Sequence, residues 1–248
     1  MKETLLRLPT SDGFSLYSTI RQQGSKKIVI HLHGMTHTMT HLLEVMSADF
    51  FTSKGYDHCR VGLYARESGS RSLSQSSLST HVMDIRTIID HFSVEYDEIY
   101  VSAHSLSGLC MMILNSPLVT AMSLWDPALD VPNFWKNAGC LKYIEEAACY
   151  HLDYGNVFVI SQEMVQEIAD YSTTKCQDLA RHIKTPTQFI IPNESIFLGS
   201  DQLPAKDYQT LFQGAFDYQH INHANHTFSK MHNQQILFEK TLAWFDRY

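Results

Sequence analysis

The chain has 248 residues, 44% apolar and 18% charged, and 19 Lys and Arg against 26 Asp and Glu leave a formal charge of −7. This length predicts one domain or one domain with an insertion, and the composition excludes a disordered, collagen-like or coiled-coil chain. The acidic balance, with no basic stripe to neutralise phosphates, excludes nucleic acid as a partner.

No apolar run approaches the ~20 residues of a membrane-spanning helix, so no integral membrane association is expected. Residues 1–9 alternate polar and apolar without the apolar core of an export signal. Five cysteines, Cys59, Cys110, Cys140, Cys149 and Cys176, lie at irregular spacings without a C-x-x-C pair. They read as reduced thiols of a cytoplasmic protein.

Strands are predicted at 4–8 and 14–20 around the Asp12-Gly13 turn, then at 27–32, an antiparallel start. Helices at 40–54, 78–92 and 106–115 then alternate with strands at 56–61, 98–103 and 121–125. Strands alternating with helices imply a mostly parallel sheet covered on both faces. Residues 127–182, rich in Trp and Tyr with amphipathic pieces at 143–150 and 164–171, break this alternation and read as an inserted cap. The core domain would then comprise 1–126 and 183–248. Alternation resumes with a strand at 187–191, a helix near 204–212, a strand at 216–221 and a helix at 233–248. The serine-rich stretch 67–80 reads as a solvated loop or as a polar rim to a binding site.

Ser105 lies in Ser102-Ala103-His104-Ser105-Leu106-Ser107-Gly108, between a strand-like and a helix-like run. A nucleophilic serine on a G-x-S-x-G elbow needs that context, with tiny flanking residues because strand and helix backbones pass close by. Ala103 and Ser107 stand where the motif has glycines. The third strand ends His31-Leu32-His33-Gly34-Met35, an H-G turn of the kind that supplies an oxyanion donor; the expected donors are the N–H groups of Met35 and Leu106.

The general base is expected after the last strand, where His226 lies; His223 is the alternative, with His220 inside the strand and His232 on the helix approach. Asp201 is the first candidate for the acid, because Asp201-Gln202-Leu203-Pro204 precedes a helix. Glu194 lies closer to the end of its strand, and Asp126, after strand 121–125, is the third candidate.

The order Ser105, Asp201, His226, with the H-G turn upstream and a cap between, resembles the α/β-hydrolase fold over the whole chain. The string A-H-S-L-S-G, the segment Gly155-Asn156-Val157-Phe158-Val159, and the spacings of 96 and 25 residues between the three positions are similar to the myristoyl-ACP thioesterase, or acyl transferase, group of bacterial bioluminescence. That resemblance implies cleavage of an acyl ester or thioester through an acyl-serine intermediate, with no metal or organic cofactor and with acyl carrier protein as a possible donor. An acidic carrier would call on Arg66, Arg71, Lys136 or Lys142. The chain departs from that group in its H-x-H-G-x-x-H turn and in the long segment before Asp201. The cap aromatics Phe134, Trp135, Tyr143, Tyr150 and Tyr154 would line an acyl pocket or simply bury the cap. Two rival readings remain: an inactive hydrolase-fold binding module, and a metal site at His31, His33, His37 and His41.

Overall fold

The computed structural model describes residues 3–195 and 205–248. β1 (Glu3–Pro9) and β2 (Ser15–Arg21) form an antiparallel pair, followed by β3 (Lys27–Leu32), α1 (Leu42–Ser53) and β4 (Asp57–Gly62). Next come α2 (Leu78–Phe92), β5 (Glu98–His104), α3 (Leu106–Leu114) and β6 (Ala121–Trp125). Then follow α4 (Val131–Ala138), the strands β7 (Leu141–Ile144), β8 (Cys149–Asp153) and β9 (Val157–Ser161), and the helices α5 (Gln162–Ile168) and α6 (Thr173–Ala180). The chain closes with β10 (Thr187–Glu194), the short α7 (Ala205–Tyr208), β11 (Phe216–Asn225) and α8 (Met231–Phe245).

Eight strands form one sheet in the order β1-β2-β4-β3-β5-β6-β10-β11, antiparallel through the β2–β4 pairing and parallel from β4 onward. The two-residue period of β3 shows why both faces need cover. Ile28, Ile30 and Leu32 join a core that contains the apolar faces of α2 and α3, whereas Val29 joins one formed with α1 and α8. In α2 the residues Leu78, Ile85, Ile88, Ile89 and Phe92 are buried at helical spacing, and the Ser77 side chain caps the first turn by accepting the Thr80 N–H. α3 is apolar almost all round and buried except for the partly buried Ile113, and it stops where Asn115 adopts a left-handed conformation at φ 43.

Between β6 and β10, β7-β8-β9 form a separate three-stranded antiparallel sheet. The stretch 143–150, amphipathic in sequence, is therefore mostly strand: Tyr143 pairs across with Tyr150, their rings 5.0 Å apart, and such aromatic pairs stabilise a ladder. β11 runs four residues past its expected end at 221, its Asn225 pairing with Glu194 beyond a shift in register after Pro192. The helix expected at 204–212 is the single turn α7. In the serine-rich stretch, Ser76 and Ser77 are buried, and Arg71 is enclosed between Asp12 and Asp84.

Candidate active site

Ser105 sits between the end of β5 and the start of α3, at φ 56 and ψ −121. A side chain in that region costs about 1–3 kcal/mol, so the surroundings must enforce the conformation. They do so through the backbone: the Ser105 N–H donates to Trp125 O at 2.9 Å, and its carbonyl accepts the N–H groups of Gly108 at 2.9 Å and Ala128 at 3.0 Å. Gly108 is required by contact, because a Cβ there would lie 2.8 Å from the Cβ of Pro127. Ser107, at the position where the elbow motif has glycine, donates its hydroxyl to His33 O at 2.6 Å and ties the first turn of α3 to the end of β3.

His226 follows β11 directly. Its Nε2 is 3.1 Å from Ser105 Oγ, and its Nδ1 is 2.6 Å from Asp126 Oδ2. Since the carboxylate only accepts, Nδ1 carries the proton and Nε2 presents its lone pair to the serine hydroxyl. Asp126, fully buried, is held in turn: its N–H donates to Ile190 O at 2.9 Å, and Oδ1 accepts the Ser195 hydroxyl at 2.6 Å. The His226 carbonyl accepts Nε2–H of His104 at 2.9 Å. A serine, an imidazole and a carboxylate in this sequence of hydrogen bonds activate a hydroxyl for attack on a carbonyl.

Of the three candidate acids, Asp126 is the one at His226 Nδ1. Glu194 ends β10 on the cavity wall, exposed, and Asp201 lies outside the described residues. Topology explains the position of Asp126. β6 pairs with β5 on one side and β10 on the other, so the residue after Trp125 emerges beside the residue after His104. His220, His223 and His232 are exposed.

The H-G turn is held by an interaction the sequence did not reveal. His33, buried and pushed down to about 4 by that burial, donates Nδ1–H to Gly34 O at 2.9 Å and accepts the Leu63 N–H at Nε2 at 3.2 Å. The His37 N–H also donates to Gly34 O, at 3.1 Å. With the carbonyl of the Gly34–Met35 peptide fixed by two donors, the trans geometry turns the Met35 N–H the opposite way. Gly34 itself approaches the elbow so closely that a Cβ would meet Ser105 Cβ at 3.0 Å and His104 Nδ1 at 2.8 Å. Leu106 opens α3, so its N–H has no partner within the helix.

Ser105 opens into a cavity of about 680 Å³. Its lining includes the apolar Val131, Phe134 and Phe158 with Tyr154, and the polar Thr36, His37, His41, Glu194 and Asn225. Among the expected cap aromatics, Phe134 and Tyr154 reach the cavity. Trp135 instead buries itself and donates Nε1–H to the Tyr154 hydroxyl at 2.7 Å. Tyr143 is exposed and Tyr150 packs at the edge of the core. No described residue of the serine-rich stretch lines the cavity. Arg71 is occupied by two carboxylates and offers nothing to an acidic carrier.

The four histidines near the H-G turn do not converge. His31 Nδ1 is bonded to Ser102 Oγ at 2.8 Å, His33 to Gly34 O and Leu63 N, and His41 Nδ1 accepts the Thr38 N–H at 2.9 Å. Burial also pushes His31 down to about 4 and His104 well below the ordinary range.

The sheet order, the strained serine between β5 and α3, and the histidine after the last strand define the α/β-hydrolase fold. Solved structures with this fold match along nearly the whole chain. The esterase domain of a Rhodothermus marinus protein superposes with a TM-score of 0.77 at 17% identity, covering 100% of this chain and 99% of its own. Est1E from Butyrivibrio proteoclasticus, solved with ferulic acid bound, gives 0.79 at 14% identity and covers 98% of both chains. Mouse alpha/beta hydrolase domain-containing protein 10 gives 0.75 at 16%, covering 98% of this chain and 99% of its own. No protein-family model matches the chain, and no curated protein matches its sequence.

Proposed function

We propose that the protein is a serine hydrolase that cleaves a small carboxylic ester through an acyl-serine intermediate. The observation that carries this reading is the run of hydrogen bonds from Ser105 through His226 to Asp126, opening on a cavity lined in part by apolar side chains. Ser105 Oγ attacks the acyl carbon while His226 Nε2 takes its proton. Asp126, in place of Asp201 or Glu194, orients the imidazole and stabilises its charged form. The Met35 and Leu106 N–H groups receive the oxyanion. Proton return from His226 expels the alcohol, and water, activated by the same imidazole, releases the acid.

The presence of Val131, Phe134, Tyr154 and Phe158 in the lining suits an aliphatic or aromatic acyl group, with residues 127–182 acting as a cap over the serine. A thioester donor uses the same apparatus, and the relative rates on oxygen and sulfur esters of graded acyl length distinguish the two. The test is hydrolysis of that series together with labelling by a fluorophosphonate probe. Labelling and turnover that vanish in Ser105→Ala support the reading. A folded wild-type protein that neither labels nor turns over any of these substrates refutes it in favour of a binding module.

A further inference from the structure

Behind the cavity lining lies a second group of polar side chains that the proposed serine chemistry does not use as reacting groups, two of them, His37 and His104, reaching the cavity. Glu44, at the start of α1, is wholly buried; Oε1 accepts His37 Nδ1–H at 3.1 Å, and Oε2 has no hydrogen-bond partner. His104 is 1% exposed and spends its Nε2–H on the His226 carbonyl. In that tautomer Nδ1 is a bare lone pair, and it too is buried without a partner. His37, whose proton on Nδ1 is committed to Glu44, likewise has a lone pair at Nε2. One ligating atom from each of these three residues lies within 4.8 Å of those from the others.

We propose that His37, Glu44 and His104 form a binding site for a divalent transition metal, with zinc the ion whose chemistry fits best. Glu44 Oε2 and His104 Nδ1 are two buried acceptors that no proton reaches, the one proton within the group being spent between His37 Nδ1 and Glu44 Oε1, and their unmet cost in free energy is recovered by a shared cation. Two imidazoles and one carboxylate select zinc and its first-row neighbours over magnesium or calcium, and three protein ligands leave a coordination position open. His37 and His104 both line the cavity, which supplies the entry path. This set is not the one the sequence cluster suggests. It takes one of those four histidines and adds residues from α1 and from the end of β5. The site does not depend on the assignment of Ser105 chemistry.

The test is calorimetric titration of the full chain, stripped with chelator, with Zn²⁺, and a count of zinc retained after desalting. One zinc per chain is expected, with affinity at least about tenfold weaker in His37→Ala and in Glu44→Gln. His41→Ala is expected to bind as the wild type does: its ring stacks on His37 at 4.5 Å, but its Nδ1 already accepts the Thr38 N–H. Thermal melts of the metal-free variants establish that each is folded, and His37→Ala carries the test alone if Glu44→Gln is not. Zinc-free wild-type protein under saturating Zn²⁺, or equal affinity in wild type and His37→Ala, overturns the proposal.

Discussion

Replacing Asp126 with Asn probes the reaction at its least sequence-legible point. The side chain keeps its shape, but the charge opposite His226 disappears from a 2.6 Å contact in a buried setting. A carboxylate and an imidazolium whose charge centres are roughly 4 Å apart attract by about 4 kcal/mol at an effective dielectric of 20, which is about 10³ in rate. The amide nitrogen also donates where the carboxylate accepted, moving the imidazole proton to Nε2 and removing the lone pair that takes the serine proton. Together these predict a fall in kcat of about 10³–10⁴-fold with KM little changed. Steady-state hydrolysis of a nitrophenyl ester measures it, with thermal melts to establish folding. Glu194→Gln and Asp201→Asn serve as comparisons and should each stay within about tenfold of wild type. Asp126→Asn within tenfold of wild type, with a collapse in either comparison variant, would refute the assignment.

Three further outcomes follow from the geometry. Gly34→Ala drives a Cβ to 2.8 Å from His104 Nδ1 and 3.0 Å from Ser105 Cβ, so kcat should fall by about 10² or more while the protein remains folded; unchanged turnover would show that this approach is irrelevant. His33→Ala frees the Gly34 carbonyl and strands the Leu63 N–H, predicting a loss of about 1–3 kcal/mol in urea melts and a lower kcat at similar KM; an equal change in both kinetic constants would instead indicate a binding role. The buried histidines make the fold acid-sensitive. Burial lowers His31 and His33 from the ordinary 6.5 to about 4 and His81 to about 3, so below pH 6.5 the unfolded chain binds protons that the folded chain refuses. Stability present above pH 6.5 is therefore lost on the way down to about 4. These three groups contribute roughly 4 kcal/mol per pH unit within that window, and urea midpoints at pH 7.5 and 5.0 measure it. Equal midpoints would contradict buried, neutral imidazoles.

Much of the fold is local in origin. The two-residue period of β3, the helical spacing of buried residues in α2 and the turn at Asp12-Gly13 are properties of neighbouring residues, so the sequence displays them directly. The stretch 143–150 is the exception, since a cross-strand partner decides whether an amphipathic run becomes strand or helix. The strand-to-helix turn at Ser105 is legible in its small flanking residues, because the steric demands of such a turn act on its own flanks. His226 and His223 both lie beyond the strand end expected at 221, and the extension of β11 to Asn225 puts His223 inside the strand and His226 directly after it.

Asp126 and His33 were legible only as residues. What brings the first to His226 is the adjacency of β6 to β5 and β10, a long-range pairing that no spacing along the chain encodes. His33 acquires its part from the carbonyl of the next residue and an N–H thirty positions away. Local sequence thus determined most of the strands and helices and the small flanks of the turn at Ser105, because those depend on nearest-neighbour sterics and burial. Tertiary structure alone decided which carboxylate faces the imidazole and which histidines share a wall, because sheet order juxtaposes strand ends that are remote along the chain.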